Sequence, residues 1–326
     1  LTHRELDSAG ITGPVRTGYL VASDLLAKKA RARGAPFLIR YLVSVRKRPY
    51  LEVLFAFITY LDDIVDDRSR GVAVRNWRLD RLEAAFDAAV EGERASAADA
   101  EDRVNGALTA ALVHFMRTWD LPLTEAREYL ATQRRILEQR EFVTYAALEK
   151  EYLDPMAPPA IWANTFFEPR AAGSHELCRA ATRSFQLIDF IWDLREDLAL
   201  GRLFLPLEHL ALFDLDREGL ERQLDDGPFS PALRELLAHE VERAGALLDS
   251  ALDWPRTIAP AARPFAEWDL EMNRLKLAEL RRGAFEDLVG RSVTSRTFKP
   301  KAAARTLYDV GRAVAGRRGD RPAAAH

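Results

Sequence analysis

The chain of 326 residues is 48% hydrophobic and 30% charged, the arithmetic of a soluble globular protein rather than a disordered one. Its 47 basic and 50 acidic residues leave a formal net charge of -3, too weak a field to hold a polyanion, so nucleic acid is not an expected partner. One cysteine, Cys178, and six scattered histidines provide neither a disulfide nor zinc-ligand spacing, which fits a reducing, cytoplasmic setting.

The first twenty residues, LTHRELDSAGITGPVRTGYL, lack the basic start and apolar middle of a signal peptide, and no run of about 18 apolar residues follows. A secreted or membrane-spanning protein is therefore not expected. From about Gly18 to Leu288 apolar residues recur every three or four positions and β-branched runs are scarce, which predicts an all-α protein. Helix breaks are expected at Arg33–Pro36, Gly92–Asp102, Leu121–Pro122, Pro155–Pro159, Gly173–Ser174, Gly227–Pro228 and Pro255–Pro264. None is long enough for a domain linker, and the sequence has neither a repeat of fixed period nor a glycine-rich phosphate loop. The expected organisation is one helical domain over residues 1–298, followed by a basic helix and tail over 299–326.

In the segment LEVLFAFITYLDDIVDD, Leu51, Leu54, Phe55, Ile58, Leu61 and Val65 form a wide apolar face. The helix closes in Asp62-Asp63-Ile64-Val65-Asp66-Asp67. Asp62 and Asp66, four apart, project from one side, where like charges repel unless a cation offsets them. Mg²⁺, which takes a few carboxylates and keeps its other positions for water or phosphate, suits that pattern; a solvated helix end is the plainer alternative. Further on, SFQLIDFIWDLREDLALGRLFLP places Gln186, Asp189, Asp193 and Asp197 at intervals of three, four and four among aromatic and aliphatic residues. So polar a stripe is costly to bury empty. Two such helices facing each other would build a carboxylate cage in an apolar bundle, fit for several Mg²⁺ ions holding a diphosphate beside a pocket for a hydrocarbon.

The two segments, FAFITYLDDIVDD and QLIDFIWDLREDLALGRLFLP, resemble the first and second aspartate-rich motifs of the squalene and phytoene synthase family, over about residues 18–298. The resemblance implies a single-domain isoprenoid-synthase helical bundle with a central cavity, Mg²⁺ dependence and a prenyl diphosphate substrate. It also implies that Asp62, Asp66, Asp193 and Asp197 are metal ligands and that Gln186, Arg202 and, by a looser alignment, Arg291 contact the diphosphate. Arg202 could equally be a surface arginine following a helix.

The sequence departs from the pattern of members that join two prenyl diphosphates head to head. Thr59 stands where they carry an arginine, which removes a bidentate phosphate donor. Asp189 replaces an asparagine, exchanging an amide donor for an acceptor-only carboxylate. Pro36-Phe37 replaces a serine-phenylalanine pair, and Phe204 a tyrosine. Between the motifs, the three prolines of Tyr152–Trp162 are expected to break the helix, with Met156 and Trp162 reshaping the cavity.

These losses point to one prenyl diphosphate donor and an acceptor that is not a second diphosphate; the chain's similarity to the family's divergent squalene-synthase-like bacterial prenyltransferases implies a dimethylallyl donor and an aromatic natural-product skeleton such as a carbazole as acceptor. Head-to-head synthesis and class I terpene cyclisation are the alternatives. In the favoured reading the allylic C–O bond ionises with its charge held by the metal cage, and Phe55, Phe185 or Trp162 offers an aromatic face to the cation. The base that removes the ring proton is Asp189, the released diphosphate or water; Asp189 is equally suited to be one more metal ligand. His114, His175, His209 and His239 are expected to be structural or exposed, and Cys178 buried packing. In the basic tail, Leu307, Val310 and Val314 form a possible apolar stripe for weak contact with an anionic membrane surface, a frayed surface helix being the plainer reading. The oligomeric state is left open.

Overall fold

Apolar spacing of three and four residues becomes helix almost everywhere. The computed structural model describes residues 3–33, 40–67, 69–93, 95–139, 141–226, 228–282, 285 and 298–319, and among them β-structure amounts to two isolated bridges. The first helices are α1 (His3–Ser8), α2 (Arg16–Arg33), α3 (Arg48–Val65), α4 (Val72–Glu91), α5 (Ala100–Thr118) and α6 (Leu123–Ile136). A segmented run follows: α7 (Tyr145–Leu148), a π-helical turn (Glu149–Leu153), α8 (Asp154–Met156) and α9 (Pro158–Phe166). The rest comprises α10 (Ser174–Trp192), α11 (Leu194–Ala199), α12 (Leu207–Leu212), α13 (Arg217–Asp226), α14 (Pro231–Ser250), a 3₁₀ turn (Trp254–Thr257), α15 (Arg263–Arg281) and α16 (Phe298–Gly319).

Several of the predicted breaks are helix ends with identifiable chemistry. Gly92 closes α4 in the left-handed region at φ 77, and Asp99 opens α5 by accepting the Asp102 N–H at 2.8 Å. Ser230 caps α14 in the same way, with Pro231 in its first turn. The apolar faces meet in one core that runs from Leu6 to Ala313. Within it, α2, α3, α4 and α5 pack as one group and α10, α14, α15 and α16 as another, linked by the contacts of α3 and α6 with α9.

The prolines between the motifs interrupt the helix as expected, ending α8 at Met156 and opening α9 at Pro158, but the chain keeps its helical course. Pro155 sits in the first turn of α8 and Pro158 and Pro159 in the first turn of α9, where a missing N–H costs no intrahelical bond. Ala157 between them keeps helical dihedrals at φ -73 and ψ -26. The widened π turn just before takes up the distortion.

The expected stripe on the last helix is also divided. Val310 packs against the core and Ala313 is buried, whereas Leu307 remains 60% exposed. The inner face of α16 is held polar as well as apolar: Trp268 Nε1 donates to Thr306 Oγ1 at 2.9 Å, and Arg305 pairs with Glu271 and Asp309. No helix among the described residues is long and apolar enough to cross a membrane.

Candidate active site

The two acidic motifs meet. A cavity of about 480 Å³ is lined by Asp62 of α3 and Asp66 at its C-cap, by Gln186 and Asp189 of α10 and Asp193 at its C-cap, by Asp197 of α11, and by Arg202 just beyond it. Its volume lies in the lower half of the range of about 300–1,000 Å³ typical of small-molecule sites. Apolar walls continue from the acidic end: Leu54, Phe55 and Ile58 from α3, Met156 and Pro159 from the segmented run, and Phe185, Phe190, Phe204 and Phe265. Of the sequence-predicted metal and diphosphate residues, Arg291 lies outside the described residues, as does the Pro36-Phe37 pair; Asp62, Asp66, Gln186, Asp189, Asp193, Asp197 and Arg202 all line this cavity.

Local backbone fixes both motifs. α3 ends with the Asp66 N–H donating to the Asp62 carbonyl at 2.8 Å, which keeps the two carboxylates one turn apart. The same ladder carries the second stripe through the bend between α10 and α11, with Asp193 N–H to the Asp189 carbonyl at 2.8 Å and Asp197 N–H to the Asp193 carbonyl at 2.9 Å. α11 then stops in a Schellman arrangement. Gly201 takes φ 78, its N–H bonds the Leu198 carbonyl at 2.8 Å, and the Arg202 N–H bonds the Asp197 carbonyl at 2.9 Å. That turn sends the Arg202 side chain back into the cavity, where its guanidinium bridges Asp66 at 2.9 Å and Asp197 at 2.8 Å and is only 11% exposed. Arg202 is thus a cross-motif clamp and not a surface residue.

Burial raises the pKa of three of the carboxylates. Burial, reinforced by Asp66, raises Asp62 from 3.8 to about 7. Burial, then Asp189 and Asp197, raises Asp193 to about 7. Asp197 rises to about 6 through burial, opposed by Arg202. Neither Asp62 nor Asp193 has an ion-pair partner among the described residues. Two recessed acids that repel their neighbours and lack a protein cation are a donor set that fits a divalent metal, since hard oxygen ligands and an added positive charge remove the penalty.

Several features in or beside the cavity carry no signal in the sequence. Lys276 of α15 pairs with Asp189 at 2.6 Å and lies over the Phe185 ring at 4.6 Å. Lys29 of α2 donates to the Thr59 carbonyl at 3.1 Å and to Asp63 at 2.9 Å. The Thr59 hydroxyl itself is turned onto its own helix, donating to the Phe55 carbonyl at 2.8 Å. Asp269, also on α15, enters the cavity wall, and burial raises it to about 6. Phe204 stacks on Phe190 at 4.4 Å between centroids and touches Tyr152 at 4.7 Å, so the position beside Arg202 builds the wall with rings.

Trp162, expected to face the cavity, is fully buried outside its lining and donates through Nε1 to Glu125 at 2.7 Å. Cys178 is buried packing at the cavity wall, its thiol pushed up by burial. His114 hydrogen-bonds Tyr19 at 2.9 Å. His209, His239 and Glu240 gather in a second cluster. There Arg243 donates to Nε2 of both histidines at 3.2 Å and His209 Nδ1 abuts Glu240, so a guanidinium already fills the place of a cation.

Residues 35–299 match the family model described as squalene/phytoene synthase. The fold is similar to that of squalene synthase HpnC from Alicyclobacillus acidocaldarius, with 22% identity and a TM-score of 0.70 over 85% of this chain and 98% of that one. It is similar also to a dehydrosqualene synthase solved in complex with ligand, at 16% identity and TM-score 0.70 over 94% and 98% of the two chains. YisP from Bacillus subtilis aligns over 93% of this chain and 99% of its own, at 13% identity and TM-score 0.56. No curated protein matches the sequence.

Proposed function

The chain belongs to the squalene/phytoene synthase family, and within it we propose that the protein transfers an allylic prenyl group, dimethylallyl, from its diphosphate to a carbon of an aromatic acceptor such as a carbazole. One observation carries this reading. The described residues lining the cavity include six carboxylates and a single cation, Arg202. One diphosphate can be neutralised there by metal; a second would add its charge to a lining of carboxylates with no unpaired guanidinium to meet it. The modest volume points the same way, to one donor and one compact ring system.

Asp62, Asp66, Asp193 and Asp197 would hold Mg²⁺, which supplies charge neutralisation that makes the diphosphate a better leaving group. Gln186 and Arg202 orient the donor at the same end. Phe55, Phe185 and Phe190 line the apolar end, where they would exclude water and offer aromatic surface to the developing allylic charge. In the transfer, the allylic C–O bond breaks with its electron pair leaving on the diphosphate. A ring π pair of the acceptor forms the new C–C bond, and transfer of the ring proton to the released diphosphate or to water restores aromaticity. Asp189, paired with Lys276, serves the charge balance of the wall better than it would serve as base.

Head-to-head joining of two prenyl diphosphates is the competing reading. Lys29 beside Thr59 and Lys276 on Asp189 favour it, because each brings a cation close to a position where the family's phosphate donor is replaced. The discriminating experiment incubates the protein with Mg²⁺ and C5, C10, C15 or C20 prenyl diphosphate, alone and with hydroxylated carbazoles. Donor consumption that requires the aromatic, with an adduct by mass spectrometry, supports prenyl transfer. A C30 or C40 product from C15 or C20 diphosphate alone overturns it.

A further inference from the structure

Asp269 is a carboxylate of the cavity with no role in the diphosphate end. It sits on α15, seven residues before Lys276, so it stands about 10 Å along the helix from the Lys276–Asp189 pair. It feels the charges of Lys276 and Asp189 on one side, and its own charge is felt on the other at Cys178, which precedes Asp189 on α10 by eleven residues, or about 16 Å of rise. Asp269 therefore stands between the Lys276–Asp189 pair and the apolar end, on the far side of that pair from Asp193. Phe265 and Trp254 share that wall. Its side chain makes no hydrogen bond or ion pair with any described residue, and the surface it keeps opens on the cavity.

A carboxylate so placed is a costly lining for a hydrocarbon chain, which offers it no donor and strips its water. An acceptor that brings an N–H or O–H removes the cost and forms a charge-assisted hydrogen bond. We infer that Asp269 is the specificity residue for the acceptor: its carboxylate accepts a hydrogen bond from a ring N–H or O–H at the end of the acceptor remote from the carbon that is prenylated. The inference rests on the one-donor reading above and narrows it to heteroaromatic or hydroxyaromatic acceptors whose donor group lies about a ring system away from the reacting carbon. The remote placement makes Asp269 a binding group and leaves removal of the ring proton to groups nearer the diphosphate.

The test compares wild type with Asp269→Leu and with the isosteric Asp269→Asn, each checked for an unchanged melting temperature. Acceptor affinity is measured by fluorescence quenching without donor or metal, using a hydroxycarbazole and its N-methyl and O-methyl derivatives; turnover is then followed with dimethylallyl diphosphate and Mg²⁺. The expected result is a loss of tenfold or more in affinity for the free donor-bearing acceptor in Asp269→Leu and a smaller loss in Asp269→Asn. Methylation of the recognised group should cost the wild type as much and Asp269→Leu nothing further. If the wild type prenylates the acceptors but both variants bind the whole series as it does, the inference is wrong and the one-donor reading stands. A C30 or C40 product formed without acceptor, or failure of every aromatic to bind the wild type, overturns both.

Discussion

Replacing Asp62 by Asn should stabilise the metal-free protein while abolishing its reaction. Asp62 is raised from 3.8 to about 7, first by burial and then by Asp66. Three units at about 1.4 kcal/mol each set an upper bound of about 4 kcal/mol for the penalty on its ionised form. The cavity admits water to part of the side chain, which halves the figure to about 2 kcal/mol. The sign follows from the direction of the shift. A carboxylate whose folded pKa lies above its unfolded value is unpenalised below about pH 4, and stability is lost as pH climbs to about 7. Asn carries no charge in either state and escapes the loss. Thermal unfolding in EDTA at pH 8 should therefore show Asp62→Asn melting roughly 3–6 °C above wild type, with the gap shrinking at pH 5. Adding Mg²⁺ and a prenyl diphosphate should reverse the order, because only the wild type gains ligand binding energy. A variant no more stable than wild type at pH 8, or a gap that does not shrink on acidification, would refute the reasoning.

In the second motif, Asp193→Asn and Asp197→Asn should each lower kcat by about 100-fold or more, the loss expected when several kcal/mol of charge stabilisation disappear; steady-state kinetics at saturating Mg²⁺ checks this. Arg202→Met removes the clamp between Asp66 and Asp197. It should cost about 1–3 kcal/mol of stability by urea unfolding, less than for a wholly buried pair because Asp66 is half exposed, and raise the donor KM about tenfold. The Cys178 thiol, pushed up by burial, should resist iodoacetamide at pH 8 at least a hundredfold longer than a free thiol and react fully in urea, read by intact mass.

The helices that matter most were plain in the sequence because their polar and apolar residues are periodic on one chain segment. The stripe from Gln186 to Asp197 and the face from Leu51 to Val65 each needed only spacing to be seen. Lys276 and Asp269 were invisible for the opposite reason. In FAEWDLEMNRLKL charges surround the apolar residues as on any surface helix, and only packing reveals that Asp269 and Lys276 turn toward α10. Arg202 was ambiguous in sequence until the left-handed Gly201 set its direction. The prolines at 155, 158 and 159 mark the interruption that the sequence predicts, but sequence alone does not say that they fall in first turns or where the π turn resets the count. Trp162 was misplaced for that reason, since its face depends on the reset register.

The central claim is that this cavity handles one diphosphate. Its most direct test is the stoichiometry of binding for a non-ionising prenyl thiolodiphosphate in the presence of Mg²⁺, by titration calorimetry with C5 and C15 analogues. The account predicts one equivalent per chain for both, lost in Asp62→Asn and Asp193→Asn. Two equivalents of the C15 analogue, both lost in those variants, would contradict it and place the protein with enzymes that join two prenyl diphosphates.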